Sequence, residues 1–578
     1  MELALFGVVG IITIVAAGYF SQRLGIAAPL LLIVVGVGFS YLPGAPTTVP
    51  PELILGGILP VLLYSSAVRV PVVDLRRNLS SISALSVVLV FVTAFITGLI
   101  LYWIFPDLSL AAGIAIGAVI SPTDAVAATA LGKKLGLPPR LITILEGEGL
   151  VNDASALVLL RSAVAAVAAT VTFWAVVADF VFAVAVAVLV GLVVGWATVW
   201  VRARLVDSVL DTAISFAVPF IAFVPAEHFG ASGVIAVVVA GLYSGHHSAR
   251  RLTAGARISE RLNWRTVQFV LENGVFLLMG LEISTIIGNV EEDELSAPRA
   301  IAVGLLMVVV VIIIRFAFLV PLLVILRRQL AHAEHAQTRF RAMLDSLRDM
   351  MTGPGRSRQR HDRAEAVYQR RQYDIAQLKA EGLGWRGGAV LGWSGMRGVV
   401  TLAAAQSLPS TIDYRAQLIL IAFTVAVVTL LVQGGTLPLF IRMIGIRPPN
   451  ADVDRREFAQ LLEEVADAGL AVLESRAENF PDEEPIDPEV LARVRRDTLV
   501  GPESAWERVE QGVGEAALPQ SPKRLYRQLR LEVLRAEREA LLVARSDGQY
   551  TSRALVRAQA MLDLEETRLE QIDNPHDG

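Results

Sequence analysis

Cysteine is absent from the 578 residues, so the chain holds no disulfide and no thiolate metal site. Charge is scarce as well, at 18% of residues against about 25% in an ordinary soluble domain. The deficit comes from long apolar runs. With 54% hydrophobic residues, the composition excludes a soluble globular chain and points to an all-α polytopic membrane protein with polar segments attached. The net charge of −4 gives no reason to expect a nucleic-acid partner. The first apolar run, 3–20, has only Glu2 before it. It lacks a basic n-region and an A-x-A-like site at its end, so it reads as a retained helix.

Apolar runs recur at 3–20, 29–42, 53–68, 81–105, 108–131, 141–170, 173–201, 210–225, 233–244, 267–287, 300–326, 387–405 and 418–441, thirteen in all. Loops following odd-numbered runs carry fourteen basic residues, among them Arg76, Lys133, Arg204 and Arg257, before the long loop is counted. Loops following even-numbered runs carry two, Arg299 and Arg415. The positive-inside rule therefore predicts an external N-terminus and a cytoplasmic C-terminus in the plasma membrane. Residues 1–446 form the membrane domain, interrupted by a charged cytoplasmic loop at 327–386 that Gly-Pro-Gly at 353–355 divides into two helical pieces. Residues 447–578 form a cytoplasmic tail with helical patterns over 458–478 and 521–572. Leu525, Leu529 and Val533, with Leu534 and Leu541, mark an amphipathic face or a short coiled coil. A solvated appendage and a regulatory or dimer-supporting role both fit this pattern.

Four places break the apolar runs. Asn152 and Asp153 sit on the sixth run, with Glu148 one turn earlier. An acid inside such a run is costly unless it faces a cavity or a partner, and Asp153 has no cation beside it in sequence. It therefore reads as a site that a proton or a bound cation must neutralise. The second break is Ser121-Pro122-Thr123-Asp124. Proline removes a backbone bond and frees carbonyls one turn back, and Asp124 would start the following half-helix, where an anion is favoured. Helix-end compensation and direct ion contact both fit Asp124. The third is the glycine-rich stretch 392–398 around Arg397. Glu148 and Arg397 read as an ion pair that fixes the site. The fourth is Arg315, which, like Arg161, reads as half of a structural pair. The breaks at runs five and twelve hold matching places in two six-run halves. An odd number of runs separates the starts of those halves, so the repeats are inverted, and paired interrupted helices of this kind point to a midplane site.

Ser121-Pro-Thr-Asp-Ala-Val-Ala127, Glu146-Gly-Glu-Gly-Leu-Val-Asn-Asp153, the stretch from Trp264 through Phe276-Leu-Leu-Met-Gly-Leu-Glu282, and Gly395-Met-Arg-Gly398 together resemble NhaP-type monovalent cation/proton antiporters. These belong to the cation:proton antiporter-1 family, which includes the eukaryotic sodium/proton exchangers. The resemblance covers about residues 1–445. It implies a homodimer whose protomers have a dimerisation domain and a six-helix core, with two interrupted helices crossing at the ion site. By the same resemblance Asp153 binds cation or proton, Asn152 sets the asparagine–aspartate pair apart from the two-aspartate pair of electrogenic relatives, and Thr123 and Asp124 are the crossover residues. Glu148 and Arg397 match a core ion pair that also holds Asn152. Two positions depart from the family pattern. Ser65 stands where the third span often has an acid, and Gly149 stands where a serine usually follows the glutamate. Both changes remove oxygen or charge and leave room for water or a larger ion. Ser65, Gly149 and Ser155 are candidates to line the site.

The expected activity is exchange of Na⁺, with K⁺ or Li⁺ as alternatives, for H⁺. Burial and neighbouring charge set where a carboxylate titrates, so proton and cation compete for Asp153. Electroneutral 1:1 exchange follows because Asn152 has no second proton to release. No enzyme activity and no cofactor are expected. An intramembrane aspartyl protease using Asp124 and Asp153 is disfavoured, because neither follows the Gly-x-Gly motif of those enzymes. A channel or ion sensor on the same scaffold is the other alternative.

Overall fold

The computed structural model describes residues 2–24, 27–41, 49–168, 173–205, 207–291, 296–350, 356–380, 383–446, 451–478, 488–499 and 520–571. The described residues form helices and connecting turns, with no strand among them. The chain divides into two compact units. The first is Met1–Ser248, Glu260–Ala331 and Ala380–Pro448; the second is Ala249–Ser259, His332–Lys379 and Pro449–Gly578.

The first unit carries the apolar helices: α1 (Glu2–Leu24), α2 (Ala28–Ser40), α3 (Leu53–Ala67), the short α4 (Val72–Arg77), α5 (Leu79–Ile104), α6 (Leu110–Ile120), α7 (Ala125–Lys134), α8 (Pro139–Ala168), α9 (Phe173–Arg202), α10 (Ser208–His228) and most of α11 (Gly233–Arg251). It continues with most of α12 (Ala254–Leu281), α13 (Ile283–Glu291), the first half of α14 (Ala297–Met350), α16 (Trp385–Trp393), α17 (Val399–Gln406) and α18 (Arg415–Ile444). By length and composition, seven described helical stretches are long enough to cross a membrane. Four shorter apolar helices, such as Leu110–Ile120, fall below that length. The fifth and twelfth runs are each split into two half-helices, so neither reaches spanning length as one piece.

Long apolar side chains stay on the outside of this unit, as a lipid solvent permits. α9 shows the pattern best. Trp174 is exposed at one end, and Trp196 and Trp200 at the other. Arg204 stacks over Trp200 at 3.6 Å. The 22 residues from Trp174 to Trp196 rise about 33 Å as a helix, close to the ~30 Å hydrocarbon thickness that aromatic belts bracket. Inside, small residues bring backbones together. A Cβ on Gly113 of α6 would lie 2.5 Å from the Gly98 carbonyl oxygen of α5.

One buried cluster of charges ties three helices together. Arg202 holds Asp211 with two bonds of 2.7 Å and Glu260 with one of 2.7 Å. All three residues are buried, and they tie α9, α10 and α12 together. Trp264 donates to Ser215 at 2.7 Å beside them. Arg161 pairs with Glu227, as expected of a structural cation.

In the second unit, α15 (Arg356–Ala380) follows the continuation of α14, and the Gly-Pro-Gly break predicted at 353–355 lies outside the described residues. The tail contributes α19 (Ala451–Glu478), α20 (Pro488–Leu499), α21 (Gln520–Asp547) and α22 (Ser552–Gln571). The helical pattern over 521–572 is thus two helices. Gly548, at φ 73°, breaks it in the left-handed conformation that glycine adopts without a Cβ clash. The apolar face of α21 is used within the chain. Leu534 and Leu541 are buried with Phe458, Leu461 and Leu555, and Leu529 and Val533 with Leu473 and Val494.

Candidate functional site

The two interrupted helices meet at their breaks. α6 ends at Ile120 and α7 begins at Ala125; α16 ends at Trp393 and α17 begins at Val399. The Asp124 amide donates to the Met396 carbonyl at 2.7 Å, joining one break to the other. Asp124 also caps α7, its Oδ1 accepting from the Val126 amide at 2.8 Å. A Cβ on Gly398 would lie 2.8 Å from Asp124 Oδ2. The carboxylate therefore sits at the N-terminal ends of two half-helices, where the peptide dipoles favour an anion.

Behind the crossing runs a chain of bonds from α8 to α14. Asn152 donates through Nδ2 to the Thr123 carbonyl and hydroxyl, each at 3.0 Å. The Thr123 hydroxyl donates to Glu148 Oε1 at 2.7 Å. Both Glu148 oxygens accept from Arg315, at 2.6 and 2.9 Å, and Arg315 Nε donates to the Leu391 carbonyl at 2.9 Å. Glu148 and Arg315 are each 2% exposed, so each neutralises a charge that burial would otherwise penalise.

This corrects the expected pair. Arg397 is not the partner of Glu148. Its Nε donates to the Ile120 carbonyl at 3.1 Å, its Nη1 to the Gly395 carbonyl, and its amide to the Thr429 hydroxyl at 3.0 Å. Arg397 caps the end of α6, where the break leaves carbonyls without helical donors and a cation suits the dipole. Arg315, read from sequence only as half of some pair, is the fork that Glu148 uses.

A cavity of about 680 Å³ opens in front of the crossing, lined by Thr123, Asp124, Gly149 and Asp153. Asp153 is half-buried. Among the described residues, no cation or hydrogen-bond donor contacts its carboxylate. Asn152, Glu148 and Arg397 lie behind these residues and do not line the cavity. Ser65 and Ser155 do not line it either. Their hydroxyls return to carbonyls of their own helices, Leu62 at 2.8 Å and Val151 at 3.1 Å, a short-range bond that serine readily makes inside helices.

Polar lining residues that the motifs do not mark include Arg69, Gln268 and Glu272. Arg69 donates to the Ser65 carbonyl at 2.9 Å and to Gln268 Oε1. Glu272 lies within the run 267–287, and the rule that singled out Asp153 applies to it equally. Lys133, also lining, is held by Glu146 at 2.7 Å. The arrangement suits a hydrated path to a carboxylate for hard cations, which take oxygen ligands. Among the described residues, no cluster of three or more His, Cys, Asp or Glu is built to hold a metal ion.

Gly149 has a packing reason to be glycine. A Cβ there would lie 2.5 Å from the Ala125 Cβ, so α8 and α7 approach too closely for a serine. Gly149→Ser is expected to lower the melting temperature of the purified protein, at a cost of about 1–3 kcal/mol for overpacking. Adding Ala125→Gly should recover most of the loss. A serine tolerated without any change in melting would show that this contact relaxes freely.

The sequence profile of the family "Sodium/hydrogen exchanger, transmembrane" matches residues 10–442. The chain belongs to this family. It is a membrane transporter for cation/proton exchange. The uncharacterized Na⁺/H⁺ exchanger Rv2287 of Mycobacterium tuberculosis is 29% identical over 580 residues, 98% of this chain and 96% of that protein. A sodium, potassium, lithium and rubidium/H⁺ antiporter of Bacillus pumilus is 29% identical over 329 residues, 55% of this chain and 49% of that protein. The solved sodium proton antiporter MjNhaP1 of Methanocaldococcus jannaschii has a similar fold, with a TM-score of 0.53 at 15% identity over 77% of this chain and all of that one.

Proposed function

We propose that this exchanger carries one monovalent cation inward or outward for one proton, with Asp153 binding either in turn. The observation that carries the reading is the contrast between carboxylates. Glu148 is filled on both oxygens by Arg315, and Asp124 caps a helix. Asp153 faces the cavity with no such partner among the described residues. A cation or a proton cancels its charge, and only the loaded site crosses the apolar barrier. That condition couples the two fluxes in alternating access. Thr123 and Asp124 share the cavity wall and are oxygen ligands of the hard-cation type. Asn152, held to Thr123, brings no second proton, which supports electroneutral exchange.

Na⁺ is the cation we put first. K⁺ and Li⁺ are the alternatives, supported by the breadth named for the Bacillus pumilus relative. The loop charges support a plasma-membrane orientation with the N-terminus outside and with 327–386 and 447–578 in the cytoplasm. A homodimer serving cellular pH homeostasis completes the reading. Purified protein in liposomes under an imposed pH gradient is the test. Na⁺, Li⁺, K⁺ and Rb⁺ are scored by dye dequenching across pH, with Na⁺ expected to give the lowest KM and a rate unaffected by clamping the membrane potential. No dequenching with any cation would overturn exchange, and a potential-dependent rate would overturn the 1:1 count.

A further inference from the structure

The sequence motif that ends in Glu282 plays no part in the exchange reading above. Glu282 is the residue between α12 and α13, and it is 2% exposed. Its Oε1 accepts from the Val49 amide at 2.9 Å and its Oε2 from Gln406 Nε2 at 2.8 Å. Both partners are neutral, and among the described residues no cation pairs with this carboxylate. An acid held in this way inside a membrane unit is costly and marks a functional position by default.

The bond to Gln406 joins two helices that both line the cavity. α12 does so through Glu272 and Phe276, and α17 through Val400 and Thr401. Glu282 follows Phe276 by six residues and Gln406 follows Thr401 by five, about 9 and 7.5 Å along a helix. Neither lines the cavity. Lys133 and Arg69, which do, belong to loops that the positive-inside rule puts in the cytoplasm; Val49 and Gln406 border loops of the other side. The two helices are therefore bonded to each other on the exterior side of the cavity. Each is anchored elsewhere. α12 packs backbone to backbone on α2 at Gly280 and Gly36, and Ser284 just beyond it donates to the Ser40 carbonyl at 3.3 Å. α17 starts at the crossing beside Asp124, and at its other end the Gln406 carbonyl accepts from Arg415 of α18 at 2.6 Å.

We propose that Glu282 is a positioning residue of the exchange cycle: by holding Gln406 it keeps α17 against α12 on the exterior side, and the bond is released each time the site opens outward. This rests on the alternating-access reading above and names the exterior gate of that site. Gln406 Oε1 is buried and accepts no hydrogen bond among the described residues. The side chain is thus held through its amide nitrogen alone, and release breaks one side-chain bond. A bond present in one of two states biases the equilibrium between them, and its loss shifts that equilibrium toward the other.

The cysteine-free chain makes introduced thiols unique. The full-length pair Glu282→Cys with Gln406→Cys, joined by a cleavable bifunctional thiol reagent, is expected to lose exchange at least tenfold and to regain it on reduction. Each single-cysteine variant should keep its own untreated rate under the same reagent. In right-side-out and everted vesicles, Glu282→Ala and Gln406→Ala should each change the ratio of the cation KM values at the two faces by about fivefold or more, the scale of an ordinary coupling free energy. The exterior KM falls relative to the cytoplasmic one. The double should match Glu282→Ala, and Glu282→Gln, whose oxygen still accepts from Gln406, should fall between. A cross-linked pair that transports at its untreated rate would overturn the proposal, as would an unchanged KM ratio in Gln406→Ala. If Glu282→Ala or the cysteine pair fails to fold, Gln406→Ala decides alone, because it leaves the carboxylate on its Val49 bond. No exchange by the unaltered protein is a separate result, which removes the proposed function instead.

Discussion

Asp153→Asn is expected to abolish proton-coupled cation exchange while the protein still reaches the membrane in normal amount. The amide has the shape of the protonated acid and carries no charge, so the variant mimics one loaded state permanently. It neither releases a proton nor attracts a cation. Asp153 supports no ion pair among the described residues, so its replacement strands no partner, and fold stability should be little changed. Exchange in everted vesicles should fall at least about 100-fold, or about 2.7 kcal/mol. Retained exchange would remove Asp153 from the mechanism. Retained cation flux without proton coupling would instead place the channel reading ahead of exchange.

Glu148→Ala and Arg315→Met should each be strongly destabilising, by about 3–5 kcal/mol, because each leaves a buried charge without its partner. The double variant Glu148→Ala with Arg315→Met should recover part of the thermal stability, since removing both members of a buried pair leaves no charge stranded. Exchange should not recover with it. Glu148 also accepts from the Thr123 hydroxyl at 2.7 Å, so Thr123 loses the bond that fixes it at the cavity wall. A double-mutant cycle separates this pair from the one expected at first. The Glu148/Arg315 coupling should be large, and the Glu148/Arg397 coupling small, because contacting residues couple and separately bonded ones largely add. Melting of the purified variants reads both. A large Glu148/Arg397 coupling would restore the earlier pairing.

Most of the site was visible as a pattern. Proline and an acid in one apolar run, a glycine-rich stretch in another, and Asp153 between them are each anomalies that a bilayer makes expensive, and the structure brings the two breaks into contact. Pairing was not visible. Arg315 and Arg397 are both arginines in apolar runs, and spacing alone says nothing about which faces Glu148 across three-dimensional space. Position alone makes Ser65 and Ser155 candidates for the cavity. Whether a serine hydroxyl points to a cavity or back to its own helix depends on a rotamer, which sequence does not specify. Glu272 lies within an unbroken helix, with no proline or glycine-rich break beside it to mark a site. In the tail, the hydrophobic spacing showed which face of α21 is apolar. That α22 covers part of that face depends on the turn at Gly548, and that α19 and α20 cover the rest is a tertiary pairing that hydrophobic spacing does not specify.

The crossing of the two breaks has a consequence for biogenesis. The half-helices α6, α7, α16 and α17 have 11, 10, 9 and 8 residues, or about 12–17 Å each at 1.5 Å per residue, roughly half the hydrocarbon thickness. None spans the bilayer alone, and the polar groups of the first break find donors and acceptors on the second. The Asp124 amide waits for the Met396 carbonyl, and the Ile120 carbonyl waits for Arg397. The ribosome supplies those partners some 270 residues later, so the transport centre becomes complete late in synthesis of the membrane unit. Until then the nascent chain exposes an unsatisfied polar segment within the bilayer. Substitutions at the crossing should therefore be read first by membrane quality control, as lowered abundance, and only afterwards as altered kinetics.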